Sequence, residues 1–219
     1  MEILEILEQF KAKANPEIAA QQKAYMKDLF TFYGVKSPER KEIQKYFFAK
    51  ENLPSKEKAA KITLELWNKP ERELQYFAQE FYLKYKKLFS VEDIFIFEKL
   101  IITKSWWDTV DFVASNLIGD YFLKFPSKKE EFIHKWLQSE NLWLKRTALI
   151  FQLKYKSKTD KQLLKTAIIK CNGTKEFFLN KAIGWALRNY SKTNPDWVRN
   201  FIQNHSLSNL SVKEGSKYL

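Results

Sequence analysis

The sequence predicts an all-α protein built from stacked helical hairpins, and three observations support this prediction. The 219 residues include only five glycines and six prolines, which permits long uninterrupted helices. Apolar residues recur at helical spacing, and no segment bounded by turns alternates apolar and polar residues as a strand would. The starts of the predicted helices also recur in pairs in the second half of the chain. We therefore expect no sheet.

In the first half, helices begin after prolines or short polar breaks. The chain opens with a helix at residues 2–14, and Asn15-Pro16 supplies the N-cap and first-turn proline of a second. Gly34 ends the stretch that follows, and Ser37-Pro38 begins another helix by the same device. That helix is predicted to reach about residue 50, and further helices are predicted at residues 56–68 and from Pro70 to beyond Tyr85.

In the second half, two capping boxes mark helix starts. Ser90 with Asp93 begins a helix to about Thr103, and Ser105 with Asp108 begins a helix at residues 106–124. Ser105 is the predicted N-cap of the latter. Further helices are predicted at residues 128–139, 142–156, 160–171, 175–191 and 195–205, with at most one short helix in residues 206–219.

These helix starts form pairs at residues 91 and 106, 128 and 142, and 160 and 175. Each pair lies 32 to 37 residues from the next, a spacing typical of helical-hairpin repeats that bury their faces only against neighbours. The spacing favours a HEAT-like repeat solenoid, an α-α superhelix, over a closed bundle. We expect one curved domain over residues 1–219, with the second helix of each pair lining a basic concave groove.

The composition favours a nucleic-acid partner. Lys and Arg number 38 against 26 Asp and Glu, a formal net charge of +12. The single cysteine, Cys171, forms no internal disulfide, and the N-terminus lacks the basic and apolar regions of a signal peptide. Apolar runs fall short of the roughly 18 residues of a membrane span. We expect a cytoplasmic monomer, nucleoid-associated if bacterial, with no membrane contact.

Missing motifs exclude several classes of enzyme. His134 and His205 are the only histidines, and no zinc-ligand motif occurs, so we predict no metal site. No glycine-rich phosphate loop and no Gly-x-Ser-x-Gly occurs, so we predict no cofactor, NTPase or serine hydrolase. Cys171 lies at a predicted helix C-terminus, where the dipole disfavours a thiolate. The residue types left for chemistry are Asp, Trp, Tyr and Arg.

Three residues on the second helices are evenly spaced. Trp107, Arg146 and Trp185 are separated by 39 and again by 39 residues, which places them at similar positions on successive repeats, exposed to one groove. Asp111 lies one helical turn after Trp107, whereas Trp106 is turned about 100° away and is predicted to be largely buried. The spacing therefore predicts a groove that holds two indoles and one carboxylate.

The sequence resembles the AlkD family of DNA alkylation repair glycosylases. The similarity is carried by SWWDTVD at residues 105–111, WLKRTALI at 143–150 and AIGWALRNYSK at 182–192, together with AYMK at 24–27 and SPER at 37–40. It covers nearly the whole chain, except the tail after about His205. The resemblance implies a HEAT-like fold and removal of N3- and N7-alkylated purines from duplex DNA.

Residue by residue, the resemblance implies a lesion cleft formed by Trp107, Asp111 and Trp185. It places Tyr25 near the lesion pair, while Arg146 supports the carboxylate and the DNA backbone. Members of the wider superfamily that lack these groups bind DNA without excising bases, whereas this sequence keeps all of them. Because an open groove of helices offers no obvious deep pocket, we expect the lesion to be engaged from the backbone side, with little reading of sequence.

Two roles remain open for Arg146, which can hold Asp111 ionised or clamp a phosphate. Our candidates for phosphate contacts are cationic and lie on or near the second helices. They are Lys104, Lys145, Lys154, Lys156, Arg188 and Lys192. Two alternatives to the glycosylase are a non-catalytic HEAT-like module that binds DNA or RNA, and a protein–protein adaptor of the same fold.

Overall fold

The computed structural model describes residues Met1 to Leu219 and consists of helices joined by short connections. The one β-type pairing is an isolated bridge between Thr31 and Glu71, so the all-α prediction is confirmed. None of the helices combines the length and the apolar character that a membrane crossing requires. The chain divides into two compact units, Met1–Phe89 and Ser90–Leu219. The single domain over residues 1–219 stays a prediction.

The first unit contains five α-helices and two 3-10 turns. The helices are α1 Ile3–Ala12, α2 Pro16–Tyr25, α3 Ser37–Phe47, α4 Lys56–Asn68 and α5 Arg72–Leu83, and the 3-10 turns are Lys50–Asn52 and Lys86–Leu88. Asn15 caps α2 as predicted, because its side-chain oxygen accepts the backbone N–H groups of Glu17 and Ile18, each at 3.1 Å. The starts of α3 and α5, which were also predicted from prolines, were predicted less accurately. Lys36, not Ser37, is the N-cap of α3, and α5 begins two residues after Pro70.

The second helix is shorter than we expected. It ends at Tyr25 and not at Gly34, because the loop that follows is held by hydrogen bonds to a side chain of a later helix. The buried carboxylate of Glu73 accepts three consecutive backbone N–H groups, at residues 33–35, at 2.9 to 3.1 Å. Gly34 has a φ of +86°, a left-handed conformation that favours glycine. These backbone N–H groups therefore donate to a side chain, whereas in a helix they would donate to backbone carbonyl groups.

The second unit holds the predicted hairpin pairs. Its helices are α6 Asp93–Ile102, α7 Trp107–Phe112, α8 Gly119–Lys124, α9 Lys129–Gln138, α10 Leu142–Ile150, α11 Lys161–Cys171, α12 Phe177–Ser191, α13 Pro195–Asn204 and α14 Asn209–Gly215. A π-helix, Val113–Ile118, joins α7 to α8 without a break, and 3-10 turns lie at Pro126–Lys128 and Lys156–Lys158. The helix starts agree with prediction to within two residues, but α10 ends at Ile150 and not near Lys156. The one short helix expected in the tail is α14.

Of the two predicted capping boxes in this unit, one forms in part and one is wrong. The carboxylate of Asp93 accepts the backbone N–H of Ser90 at 2.7 Å, as expected. Ser105 does not cap α7, because its hydroxyl donates to the carbonyl oxygen of Ile101 at 2.6 Å and so satisfies the last turn of α6. The N-cap of α7 is Trp106, with extended backbone. The helix therefore begins one residue later than the motif suggested.

Candidate active site

One side of the candidate site is formed by α7 and the π-helix that follows it. Trp107 and Asp111 lie four residues apart on α7, so their side chains share a face. In a π-helix each backbone hydrogen bond spans five residues. Two side chains also donate to carbonyl groups at this transition. Ser115 Oγ donates to the carbonyl of Asp111 at 2.7 Å, and Asn116 Nδ2 donates to that of Phe112 at 2.9 Å. These bonds fix the backbone that carries Asp111.

The carboxylate of Asp111 is paired with Arg146 on α10. Arg146 Nε donates to Oδ1 at 2.7 Å and Nη2 donates to Oδ2 at 2.8 Å, a bidentate geometry. The remaining amino group, Nη1, donates to the carbonyl oxygen of Phe178 at 2.6 Å. The Arg146 side chain is only 4% exposed and that of Asp111 15%. The expectation that Arg146 is exposed was therefore wrong, since the guanidinium is buried in order to hold the carboxylate. Of its two open roles, the structure places it on Asp111.

Burial and charge act in opposite directions on this carboxylate. Burial raises the pKa of the Asp111 carboxyl above its ordinary value, while the hydrogen bonds and positive charge of Arg146 oppose the rise. The negative charge of Asp108, on the same helix, adds to the increase. Asp111 is therefore a stronger base than a free aspartate.

These groups face a cavity of about 340 Å³. Its lining is mainly aromatic and cationic, and consists of Trp107, Asp111, Arg146, Phe177, Phe178, Lys181, Trp185 and Arg188. The three residues spaced by 39 positions thus meet at one cavity, on α7, α10 and α12. The consecutive rings of Phe177 and Phe178 at the start of α12 form part of its wall. Phe177 is 58% exposed.

Trp106 supports the wall and does not line the cavity. It is partly exposed, not largely buried as expected, and its ring lies 5.7 Å from that of Trp143 and 5.1 Å from that of Phe178. Phe178 thus contacts Trp106 with its ring and Arg146 with its carbonyl. The aromatic packing therefore orients the acceptor that completes the hydrogen bonding of Arg146.

Two cations reach the cavity from α12, and both bind a carboxylate on α14. Glu214 accepts Lys181 Nζ on Oε1 and Arg188 Nη1 on Oε2, each at 2.8 Å. Arg188 was among the predicted phosphate contacts. The sequence analysis missed Lys181 and Glu214, since neither lies in a motif. The only sign in the sequence that Lys181 belongs to the site is its position one helical turn before Trp185.

The other predicted phosphate contacts do not line this cavity. Lys145 lines a separate cavity beside Cys171, Lys154 bonds to the side chain of Asn116, and Lys192 lies 4.6 Å from the ring centre of Tyr218. Lys104 and Lys156 have positive φ angles of 49° and 53°, a strained backbone for lysine. Tyr25 belongs to the first unit, at the end of α2, and is 71% exposed. The phosphate roles stay predictions.

The single cysteine, Cys171, is free and buried. Burial raises the pKa of the Cys171 thiol to about 11, so the thiol is protonated at neutral pH. No group of three or more His, Cys, Asp and Glu residues is placed to hold a metal ion.

Known proteins that are similar to this chain match it over nearly its full length. The family model described as DNA alkylation repair enzyme matches residues 6–219, a span that includes the tail after His205, which lay outside the resemblance. A solved structure described as a predicted DNA alkylation repair enzyme from Enterococcus faecalis is 40% identical, with a TM-score of 0.88 over 94% of this chain and 96% of that one. A search of curated proteins finds no match.

Two more distant structures share the fold. AlkD2 from Streptococcus mutans is 19% identical, with a TM-score of 0.64 over 84% of this chain and 91% of its own. A second Streptococcus mutans protein, smu.31, is 18% identical, with a TM-score of 0.63 over 96% and 99%. At these identities the likeness shows the fold alone, which is the AlkD-type arrangement of repeated helices.

Proposed function

The chain belongs to the DNA alkylation repair enzyme family, and on that basis we propose that it is a DNA glycosylase. It hydrolyses the N-glycosidic bond of N3- and N7-alkylated purines in duplex DNA, of the 3-methyladenine and 7-methylguanine type. This is the first step of base excision repair. The observation that carries the proposal is a half-buried carboxylate, held by a bidentate arginine, in the wall of a cavity lined by two indoles.

The chemistry of these lesions suits that arrangement. Alkylation at N3 or N7 makes the purine a cation, so the base leaves as a neutral molecule and needs no general acid. The bond from the sugar C1′ to the base nitrogen breaks, its electron pair goes to the base, and the sugar becomes oxocarbenium-like. A water oxygen then bonds to C1′ and gives up a proton. The demand falls on a group that stabilises positive charge at the sugar.

We assign that role to Asp111. A preorganised negative charge in a water-poor site stabilises a developing cation far more than it would in water. The carboxylate also accepts the proton of the attacking water, a step for which its raised pKa is favourable. Arg146 holds both oxygens of Asp111 in one orientation and favours the ionised form. The catalytic set is then Asp111, Trp107, Trp185 and Arg146.

The indoles of Trp107 and Trp185 provide the affinity for the cationic nucleotide. The face of an indole attracts a cation, with about 0.5 to 2 kcal/mol for each contact. Neutral bases gain none of this attraction and also leave with more difficulty. We therefore expect cationic lesions to be excised and uracil or 8-oxoguanine to be left in place.

The partner is duplex DNA, bound through phosphates by a chain with a formal charge of +12. The phosphate contacts we propose are Lys104, Lys145, Lys154, Lys156, Arg188 and Lys192, with Tyr25 near the lesion pair. We further propose that the protein acts as a monomer in the cytoplasm, without a metal or cofactor.

The test is incubation of the purified protein with duplex DNA methylated at purines, followed by chromatography of the released bases. Release of free methylpurine supports the glycosylase. Salt-sensitive binding without release supports a non-catalytic DNA-binding module instead. If the protein shows neither base release nor salt-sensitive binding, the remaining alternative is a protein–protein adaptor of the same fold.

A further inference from the structure

The C-terminal helix α14 packs directly on α12, which carries part of the cavity wall. At Gly184, on α12, an added Cβ would lie 2.5 Å from the Cβ of Glu214 and 3.0 Å from the carbonyl oxygen of Ser211. Ser211 Oγ donates to the backbone carbonyl of Asn180 at 2.9 Å. The absence of a side chain at Gly184 and this hydrogen bond fix the two helices in close contact, so the position of Glu214 is well defined.

Glu214 collects three cations on one buried carboxylate. Besides Lys181 and Arg188, Lys217 donates to both oxygens, at 3.0 and 2.9 Å. The hydrogen bonds of Lys181 and Lys217 lower the pKa of Glu214 to about 2, so the group is ionised at any pH at which the protein works. The cluster carries a net charge of about +2, from three cations and one anion. It remains cationic toward an anionic ligand.

The two cations on α12 keep free donors toward the cavity. Lys181 and Arg188 are seven residues apart, or two helical turns, and therefore lie on one side of α12. Their side chains are 39% and 26% exposed, and each donates to Glu214 alone. The remaining N–H groups of the ammonium and the guanidinium are available to an anion.

The carboxylate that lines the cavity, Asp111, would also attract these cations. Asp111 and Lys181 line the same cavity, and the long lysine side chain has many rotamers. A lysine bound to Asp111 would add a second positive charge to a carboxylate that Arg146 already pairs, and would oppose the positive charge that develops on the sugar. Glu214 gives Lys181 another partner and so leaves Asp111 to Arg146.

We infer that Glu214 is a positioning residue. It holds Lys181 and Arg188 so that they bind the phosphodiester of the nucleotide whose sugar faces Asp111. The inference rests on the proposed function, because it assumes that a damaged nucleotide enters this cavity. It assigns to the C-terminal helix the placement of the DNA strand relative to the catalytic carboxylate.

The test compares Glu214→Gln with wild type on three duplexes: undamaged, methylated, and carrying a tetrahydrofuran analogue of an abasic site. Removal of a negative charge strengthens general attraction to DNA, so the Kd for undamaged duplex should stay equal or fall. Loss of positioning should lower single-turnover excision about tenfold, and should lower the preference for the abasic analogue over undamaged duplex by a similar factor. Glu176→Gln, which removes the same charge just before α12, is the matched control and should change neither.

The outcomes separate the two proposals. If wild type releases no base, the glycosylase proposal fails, and the preference for the abasic analogue still tests the role of Glu214. Wild-type preference in folded Glu214→Gln would overturn the inference. Should that variant not fold, Lys181→Met and Arg188→Met serve instead, since both side chains are partly exposed. If neither lowers the preference, there is nothing for Glu214 to position and the inference is overturned.

Discussion

Two carboxylates lie close to the same cavity, and the structure shifts their pKa values in opposite directions. Asp111 has one cationic partner, and burial raises its pKa. Glu214 has three cationic partners, and its pKa falls to about 2. Burial has the largest effect on the pKa of Asp111, whereas hydrogen bonds from charged donors have the largest effect on that of Glu214, so the two carboxylates sit in different environments.

The largest effect should come from removing the charge of Asp111. Asp111→Asn keeps the shape of the side chain but loses the negative charge beside the sugar. Excision of methylpurine should fall by about 10² or more, equivalent to roughly 2.7 kcal/mol of transition-state stabilisation. Single-turnover base release measures this. Binding of undamaged duplex should survive and tighten slightly.

Asp108→Asn is the matched control, with the same change on the same helix, and should retain excision. If Asp111→Asn excised at the wild-type rate, Asp111 would be a structural residue. The catalytic carboxylate would then have to be sought elsewhere, with Asp108 first.

A second effect concerns the partners of the two carboxylates. Arg146→Met leaves the buried Asp111 carboxylate without a cation and should lower the free energy of unfolding by about 3 kcal/mol. Arg188→Met leaves Glu214 with two lysines and should cost about 1 kcal/mol or less. Urea unfolding measures both. Equal losses would mean that the number of cations does not distinguish the two sites.

The pH dependence of stability should differ in sign. Since the folded-state pKa of Glu214 is depressed, its contribution is present above its unfolded pKa of about 4.3 and is lost as pH falls toward 2. The pKa of Asp111 is raised, so its contribution is present below its unfolded pKa, about 3.9, and is lost as pH rises through the folded value.

Unfolding free energies at pH 3 to 7 test this contrast. The advantage of wild type over Glu214→Gln should shrink as pH falls, and that over Asp111→Asn should grow. Two trends of the same sign would contradict the comparison.

The smallest effect concerns two lysines whose backbone has a positive φ angle. Lys104→Gly and Lys156→Gly relieve positive φ angles and should each raise the free energy of unfolding by about 0.5 kcal/mol relative to the alanine variants. If these lysines bind phosphates, glycine and alanine variants alike should flatten the salt dependence of DNA binding by about one unit per site. An unchanged salt slope would remove the residue from the phosphate contacts.

Much of the fold and the centre of the site could be predicted from local patterns. Asn15-Pro16 marks a helix start chemically, and the 39-residue interval follows from repeated geometry, so Trp107, Arg146 and Trp185 were found without coordinates. Ser105 was misassigned because its hydroxyl had two possible backbone partners, and the sequence does not rank them.

The parts that were missed depend on contacts between distant segments. Glu214 lies in a tail with no motif, and its partner Lys181 became apparent only when α14 packed on α12. Likewise, the loop after Tyr25 is stabilised by Glu73, which is about 40 residues away. Single-sequence patterns report neighbours along the chain, whereas these interactions are set by packing.

The π-helix at Val113–Ile118 has a consequence for how this helix tolerates insertions and deletions. Such a segment has the register of an α-helix with one residue added, and each residue turns an α-helix by about 100°. Deleting one residue within it would restore regular α-helical bonding. It would also rotate α7 relative to α8 by about that angle and turn Asp111 away from Arg146. A single-codon deletion that improves local helix geometry would thus separate Asp111 from Arg146, so the spacing between Asp111 and Gly119 is a condition for this ion pair.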